Sequence, residues 1–390
     1  MRVALVHYWL VGMRGGEKVL EEFCRMWPEA DIFTHVYDPD AVSDTIKQHK
    51  IITTFVHRLP ASRRLYKKYL LFMPMALEAL DLSAYDLVIS SESGPAKGVL
   101  VRPDALHICY CHSPMRYIWD QYPFYSARAG LLTRWALKVF LPFLRMWDVS
   151  SAARVDHFIA NSAFVARRIS KFYRRDAEVV HPPVNLERFS PSSEVKDYYF
   201  AFGQLVGYKR FDLAVEAFNR LGSPLIIVGD GEELGRLKSL ARSNITFLGW
   251  QSDEEIARLL RHCRALIFPG VEDFGIAPLE AMASGRPVIG YGAGGVLETV
   301  VDGVTGKLFF KPSAEALAGA VVGLEESMDS FESSVIRAHA EKFAPARFAN
   351  QVRASIARQF DKPRVRSQLQ VQQLEAELRW NLGDDLIRRR

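Results

Sequence analysis

The chain has 390 residues, 49% of them hydrophobic and 24% charged, with a formal net charge of +5. This length points to two domains, and the composition excludes an intrinsically disordered chain and an integral membrane protein. Four cysteines are too few for a disulfide scaffold and suit a reducing compartment.

The opening MRVALVHYWLVGM reads as a strand and a turn, and it lacks the long apolar segment and cleavage site of a secretory signal. No uncharged apolar run approaches the length of a membrane span. Strand-like runs follow at Val3–His7, Ile32–Val36, Leu87–Ser90, Leu106–Cys111 and His157–Ala160. A second series comprises Tyr199–Phe202, Leu225–Val228, Ile245–Leu248, Ala265–Phe268 and Pro287–Ile289. Helical patterns at Phe211–Leu221, Asp253–His262 and Ile276–Ala283 lie between these later strands. The alternation predicts an α/β protein of two doubly wound parallel sheets. The Pro- and Ser-rich stretch 181–197 is the expected linker, dividing a first domain (1–185) from a second (186–345). A helical segment and basic tail (346–390) follow, and beyond Phe360 the chain is expected to be a peripheral appendage.

Charge is unevenly placed. Residues 1–185 carry 24 Lys and Arg against 18 Asp and Glu, whereas 186–390 carry 26 against 27. Thr45–Leu77 contains no acid and seven cations, among them Arg63, Arg64, Lys67 and Lys68 interleaved with aromatic and aliphatic residues. An interfacial helix on anionic lipid is one reading and a solvated face over a core helix the other. Nucleic acid is not expected as a partner, because no reading motif accompanies the charge.

Three segments could carry chemistry. Gly15-Gly16 follows the first strand and opens a helix, so free amides there favour an anion. Lys209 and Arg210 precede the first helix of the second domain, a position that suits cations only when an anion joins them. In VEDFGIAPLEAMASG (271–285), Glu272 sits in the loop after a strand and Glu280 in the helix that Gly275 and Ile276 begin. Such a carboxylate pair could be a glycosidase acid and base, metal ligands, or acceptors for a sugar-rich ligand. The His107, Cys109, Cys111 and His112 cluster is a poor metal site, because period two sends His112 to the opposite strand face. Asp38-Pro39-Asp40 reads as a turn. Gly290, Gly292 and Gly295 match a dinucleotide fingerprint, but the next strand leads into Lys311 and not an acid, against a nicotinamide enzyme.

Together, Gly15-Gly16, Gly203 with Lys209-Arg210, Gly229-Asp230-Gly231, Glu272-x7-Glu280 and the run 285–306 resemble the glycosyl transferases group 1 domain. These are the retaining family 4 transferases of the GT-B fold, two Rossmann-like domains facing a central cleft. The resemblance covers about residues 1–345. The forms GMRGGEKVL, CHSPMRYIWDQY and EDFGIAPLEAMASG look most like bacterial mannosyltransferases that build O-antigen and exopolysaccharide from GDP-mannose. The resemblance implies that Glu272 faces the donor sugar and Glu280 the ribose, with Phe274, Gly275 and Ile276 between them. It implies that His112 touches the donor sugar or stabilises charge during transfer, and it makes Arg116, Tyr117 and Asp120 candidates for the acceptor. Gln204 stands where many relatives carry Arg, which leaves the diphosphate to Lys209 and Arg210. No metal and no cofactor beyond the nucleotide-sugar substrate are implied. A lipid-linked glycan acceptor would place the protein at the inner face of the cell membrane. A GT-B epimerase and a non-catalytic membrane scaffold are the alternatives.

Overall fold

The computed structural model describes residues 1–123, 126 and 130–360, with only the backbone described for 131–133 and 135–137. Seven strands form the first sheet: β1 (Val3–His7), β2 (Asp31–Thr34), β3 (Ile51–Thr53), β4 (Leu87–Glu92), β5 (Leu106–Cys111), β6 (His157–Ala160) and β7 (Ala177–Val179). They are parallel throughout, in the order β3-β2-β1-β4-β5-β6-β7. β1, β4 and β5 are buried at every residue, and so read as unbroken apolar runs without alternation. β3 and β7, which the sequence did not disclose, are half-buried edge strands of three residues each.

The second sheet contains β8 (Tyr199–Phe202), β9 (Leu225–Val228), β10 (Ile245–Gly249), β11 (Leu266–Phe268), β12 (Val288–Tyr291) and β13 (Gly306–Phe309). Its order, β10-β9-β8-β11-β12-β13, is again doubly wound and parallel. Both orders reverse direction at the first strand of the domain, where open α/β sheets leave a crevice at the carboxyl ends of their strands.

Helices used below are α1 (Gly15–Met26), α2 (Leu131–Ala153), α3 (Ala163–Tyr173), α4 (Phe211–Leu221), α5 (Asp253–His262), α6 (Ile276–Ala283) and α7 (Pro345–Phe360). α1 buries Val19, Leu20, Phe23 and Cys24 as one stripe against the first sheet. α7 departs from the expected division. Its Phe348, Val352 and Ile356, four residues apart, join the first domain's core, with Phe348 5.5 Å from Phe23 and 5.6 Å from Tyr110 between ring centroids. The chain thus returns to its first domain after completing the second. The two crossings touch, since the Val184 amide donates to the Phe343 carbonyl at 3.0 Å. The basic tail 361–390 lies outside the described residues.

The 62–78 stretch is not one helix. An α-turn (Ser62–Leu65) passes into a 3-10 segment (Tyr66–Phe72) and then a short helix (Met73–Glu78). Tyr66 is core, 4.7 Å from Trp9, and Arg63 pairs with Asp38 at 3.4 Å. Leu71, Phe72 and Met75 are exposed, as are Phe143 and Met146 of α2, whose inner residues Leu141 and Leu144 pack beside Leu70.

Beneath this surface lies an ion cluster that sequence reading did not find. Lys97 is fully buried, donating to Glu92 Oε1 at 3.2 Å and to Asp148 Oδ1. Asp148 also accepts from Trp119 Nε1 (2.7 Å) and the Tyr173 hydroxyl (3.2 Å). Burial pushes the Glu92 carboxyl up to about 7 against the pull of Lys97.

Candidate active site

A cavity of about 610 Å³ opens between the carboxyl ends of the two sheets, a size suited to a small-molecule ligand. Tyr8, Trp9, Met13 to Val19, Ser93, His112, Ser113, Arg116, Tyr117 and Asn161 line it from the first domain. Phe202, Gly203, Tyr208, Lys209, Phe268, the 272–277 segment and Glu280 line it from the second.

α6 starts at this cavity without a side-chain cap. Its N-cap, Gly275, has φ +94°, a left-handed conformation that costs an L-residue with a Cβ and costs glycine little. The amides of the first turn are therefore free to meet an anion. The loop ahead of α6 is seated by the glycine run that mimicked a dinucleotide fingerprint. The Gly295 amide donates to the Glu272 carbonyl at 2.9 Å, and a Cβ at Gly295 would lie 2.3 Å from Cα of Phe274. Of that run, Gly295 and its neighbour Gly294 press on the carboxylate loop, while Gly290 and Gly292 face Val296 and Phe310.

Lys209 Nζ reaches Glu272 Oε1 at 3.1 Å, an ion pair whose geometry falls short of a hydrogen bond, so that oxygen has a charge partner and no donor. Glu280 is buried and accepts from Lys18 Nζ at 3.3 Å, across the cleft from α1. His112 follows β5, and burial pulls its imidazole down to about 3, so it is neutral at physiological pH.

Arg210 does not join these groups. At φ +55° it turns back onto Asp212, with Nε 3.1 Å from Oδ1, and it is not part of the cavity wall. The anion that a cation at this helix start requires is Asp212. Lys209 is consequently the one second-domain cation among the described lining residues. Arg116 and Tyr117 line the cavity, but Asp120 does not: it accepts from Arg168 at 2.6 Å. Arg116 bonds Asp273 of the second domain at 2.9 Å, and Arg168 bonds the other oxygen of Asp273 at 2.9 Å. Glu298 of the second domain accepts the amides of Ala163 (2.8 Å) and Phe164 (3.0 Å) at the start of α3. Sequence reading missed Lys18, Arg168, Asp273 and Glu298, which join the two domains. Lys18, one turn into α1 from Gly15, was the one with a local signal.

The demoted metal candidates are otherwise engaged. His107 Nε2 bonds Ser90 Oγ at 3.0 Å, Cys109 and Cys111 are core residues, and Asp38 accepts the Asp40 amide in a 3-10 turn. All four cysteines are free thiols. Among the described residues no group of three or more His, Cys, Asp or Glu is placed to hold a metal, and no helix is long and apolar enough to cross a membrane.

Comparison with known proteins agrees with this geometry. Residues 13–188 match the Glycosyltransferase Family 4 model and residues 185–338 the Glycosyl transferases group 1 model. D-inositol 3-phosphate glycosyltransferase of Mycobacterium marinum is 30% identical over 229 residues, covering 52% of this chain and 49% of that protein. The alpha-1,3/1,6-mannosyltransferase alg2 of Schizosaccharomyces pombe is 24% identical over 328 residues, covering 71% of this chain and 62% of that one. The chain spans about half the length of the first curated relatives it matches. Among solved structures, Anabaena HepE in complex with UDP and glucose superposes with a TM-score of 0.67 at 17% identity, covering 91% of this chain and 99% of that one. The first lobe is thus similar to Glycosyltransferase Family 4 and the second to Glycosyl transferases group 1, and with the cleft between them built as described the chain has the two-domain GT-B glycosyltransferase fold.

Proposed function

We propose that the protein is a retaining glycosyltransferase that moves a hexose, mannose from GDP-mannose, to a lipid-linked glycan in bacterial polysaccharide synthesis. The observation that carries this reading is the Lys209–Glu272 pair beside the uncapped start of α6. A lysine and free amides face a leaving diphosphate, and a carboxylate oxygen without a donor faces the hydroxyls of a sugar. The mannosyl donor is supported by the alg2 relative and by the sequence forms noted above. The bound UDP and glucose of HepE support a nucleotide-sugar in general.

In this reading, charge developing on the leaving diphosphate is stabilised by Lys209 Nζ and the first-turn amides of α6 and α1, already oriented before the reaction. Glu280 holds the ribose, exchanging Lys18 for sugar hydroxyls. Lys18, freed from Glu280, remains at the cleft as a further cation toward phosphate. His112 meets the hexose from the first domain.

The test is incubation with a panel of nucleotide-sugars, with and without a lipid-linked acceptor extract, reading products by mass. Hexose transfer from GDP-mannose, dependent on acceptor and undiminished in excess EDTA, is the expected result. EDTA inactivation reversed by Mg²⁺ or Mn²⁺ would contradict the diphosphate site drawn here. Donor conversion without acceptor would favour an epimerase, and no turnover a scaffold.

The acceptor side predicts attachment to the inner membrane face through the basic stretch. Arg63, Arg64, Lys67 and Lys68 frame the exposed Leu71, Phe72 and Met75. Vesicles with anionic lipid should bind the protein at low salt and release it at high salt, since screening acts within about 8–10 Å at physiological ionic strength. Reversing the four cations to Glu should abolish binding and leave nucleotide affinity intact. Wild-type protein that ignores anionic vesicles at low salt would refute membrane attachment.

A further inference from the structure

Behind His112 a line of buried polar groups runs beneath the cleft to Glu17. In register, His7 of β1 stands opposite Ser91 of β4, and Ser91 opposite Tyr110 of β5, two residues before His112. His112 Nε2 lies 2.8 Å from Ser91 Oγ, and Ser91 Oγ lies 3.0 Å from His7 Nδ1. His7 Nε2 then faces Glu17 Oε1 of α1 at 3.7 Å, a charge contact longer than a hydrogen bond, and has no hydrogen-bond partner among the described residues. His7, Ser91 and Glu17 are all buried, and none but Glu17 lines the cavity. The other Glu17 oxygen, Oε2, accepts the Arg14 amide at 3.1 Å, which fixes the orientation of the carboxylate.

The proton positions follow from one end. A carboxylate can only accept, so the His7 ring that faces it carries a proton on Nε2. With that single proton on the ring, Nδ1 is an acceptor, and the Ser91 hydroxyl donates to it. The Ser91 oxygen in turn accepts from His112 Nε2–H. His112 is left with an unprotonated Nδ1, the ring nitrogen not engaged by Ser91.

We infer that Glu17 and His7 are positioning residues that act through Ser91 to hold His112 in the Nε2–H tautomer, so that Nδ1 accepts a hydroxyl of the transferred sugar. The role toward sugar rests on the transferase reading; the tautomer does not. The logic parallels the buried carboxylate of a Ser-His-Asp triad, which selects a tautomer without itself exchanging a proton. It also explains a buried carboxylate in the first turn of α1 that touches neither phosphate nor ribose in the scheme above.

Replacing Glu17 by Gln makes a sharp test. The Arg14 amide needs an acceptor, so the Gln oxygen stays with it and the NH₂ group turns to His7 Nε2. His7 must then protonate at Nδ1, Ser91 must donate to His112, and the His112 proton moves to Nδ1. Long-range ¹H–¹⁵N correlation of histidine-labelled full-length protein reads this directly, with the His112 signal assigned from a His112→Gln variant. Expected are Nε2–H in the wild type, Nδ1–H in Glu17→Gln and a mixture in Ser91→Ala, which severs the line should Glu17→Gln fail to fold. In acceptor-dependent transfer, Glu17→Gln should lower kcat about 10-fold, the scale of one lost hydrogen bond, with the binding of nucleoside diphosphate not weakened. A wild-type His112 protonated at Nδ1, or a tautomer indifferent to both substitutions, overturns the relay. Reversed tautomer with unchanged kcat overturns its role in transfer. If no transfer is found in the wild type, the transferase reading fails while the NMR result still decides the relay.

Discussion

Replacing Lys209 by Ala is expected to lower kcat by about 10²–10³-fold, the usual scale for losing one preorganised stabiliser of developing charge. The expectation is sharper than sequence alone allowed. Gln204 stands where the family resemblance implies an Arg, and Arg210 is spent on Asp212. In the proposed donor site Lys209 would therefore face the diphosphate without a second cation from its own domain among the described lining residues. Arg210→Ala is the matched control and should change turnover by less than about threefold, because a partly exposed local pair contributes little. Glu280→Ala should act on binding, raising the nucleotide Kd by about 10–100-fold for the loss of charge-assisted hydrogen bonds. Near-wild-type turnover in Lys209→Ala, or an equal loss in Arg210→Ala, would show that the diphosphate lies elsewhere.

Lys97→Met is expected to destabilise the fold by about 3–5 kcal/mol, because removing one member of a buried ion cluster strands its partners. Glu92 and Asp148 would be left fully buried without their cation. The pH dependence has a definite sign. Glu92 sits at about 7 in the folded chain against an ordinary 4.5, so its contribution is full below about 4.5 and is lost as pH rises through 7. Lys97 holds that value down, so the variant's deficit should widen as pH climbs above about 7, where Glu92 ionises in the parent and stays protonated in the variant, and should be smaller in acid. Urea unfolding of both proteins at several pH values measures it. A variant as stable as its parent at neutral pH, or one whose deficit grows in acid, would contradict the assignment.

The two substitutions also mark what a linear reading can and cannot find. Lys209, Glu272, Gly275 and Glu280 were legible because each depends on its neighbours in sequence: a strand end, a turn that requires glycine, the first turns of a helix. The central strands were legible because burial on both faces writes itself as apolar runs. β3 and β7 were not, because a three-residue edge strand takes its identity from the neighbour it pairs with. Arg210 was misjudged for a local reason. The helix-dipole argument asked correctly for an anion, but a left-handed backbone let Asp212, two residues on, supply it. Lys18 and Glu280 lie 262 residues apart, and Arg168 and Asp273 lie 105 apart. No local pattern encodes such pairs. The Glu92–Lys97–Asp148 cluster was hidden because its charged letters read as surface. α7 was expected to lie outside both domains, although Phe348, Val352 and Ile356 already spelled one apolar stripe.

That last helix bears on the order in which the molecule is made. The first domain's sheet ends at β7, yet its core includes Phe348, Val352 and Ile356, more than 160 residues later in the chain. During synthesis, which proceeds from the N-terminus, the second domain emerges whole before the first can close over Phe23 and Tyr110. The domain begun first is finished last, and until then it presents an apolar groove to the cell. A fragment stopping at residue 185 would keep that groove permanently open, whereas residues 184–345 contain both second-domain core clusters complete.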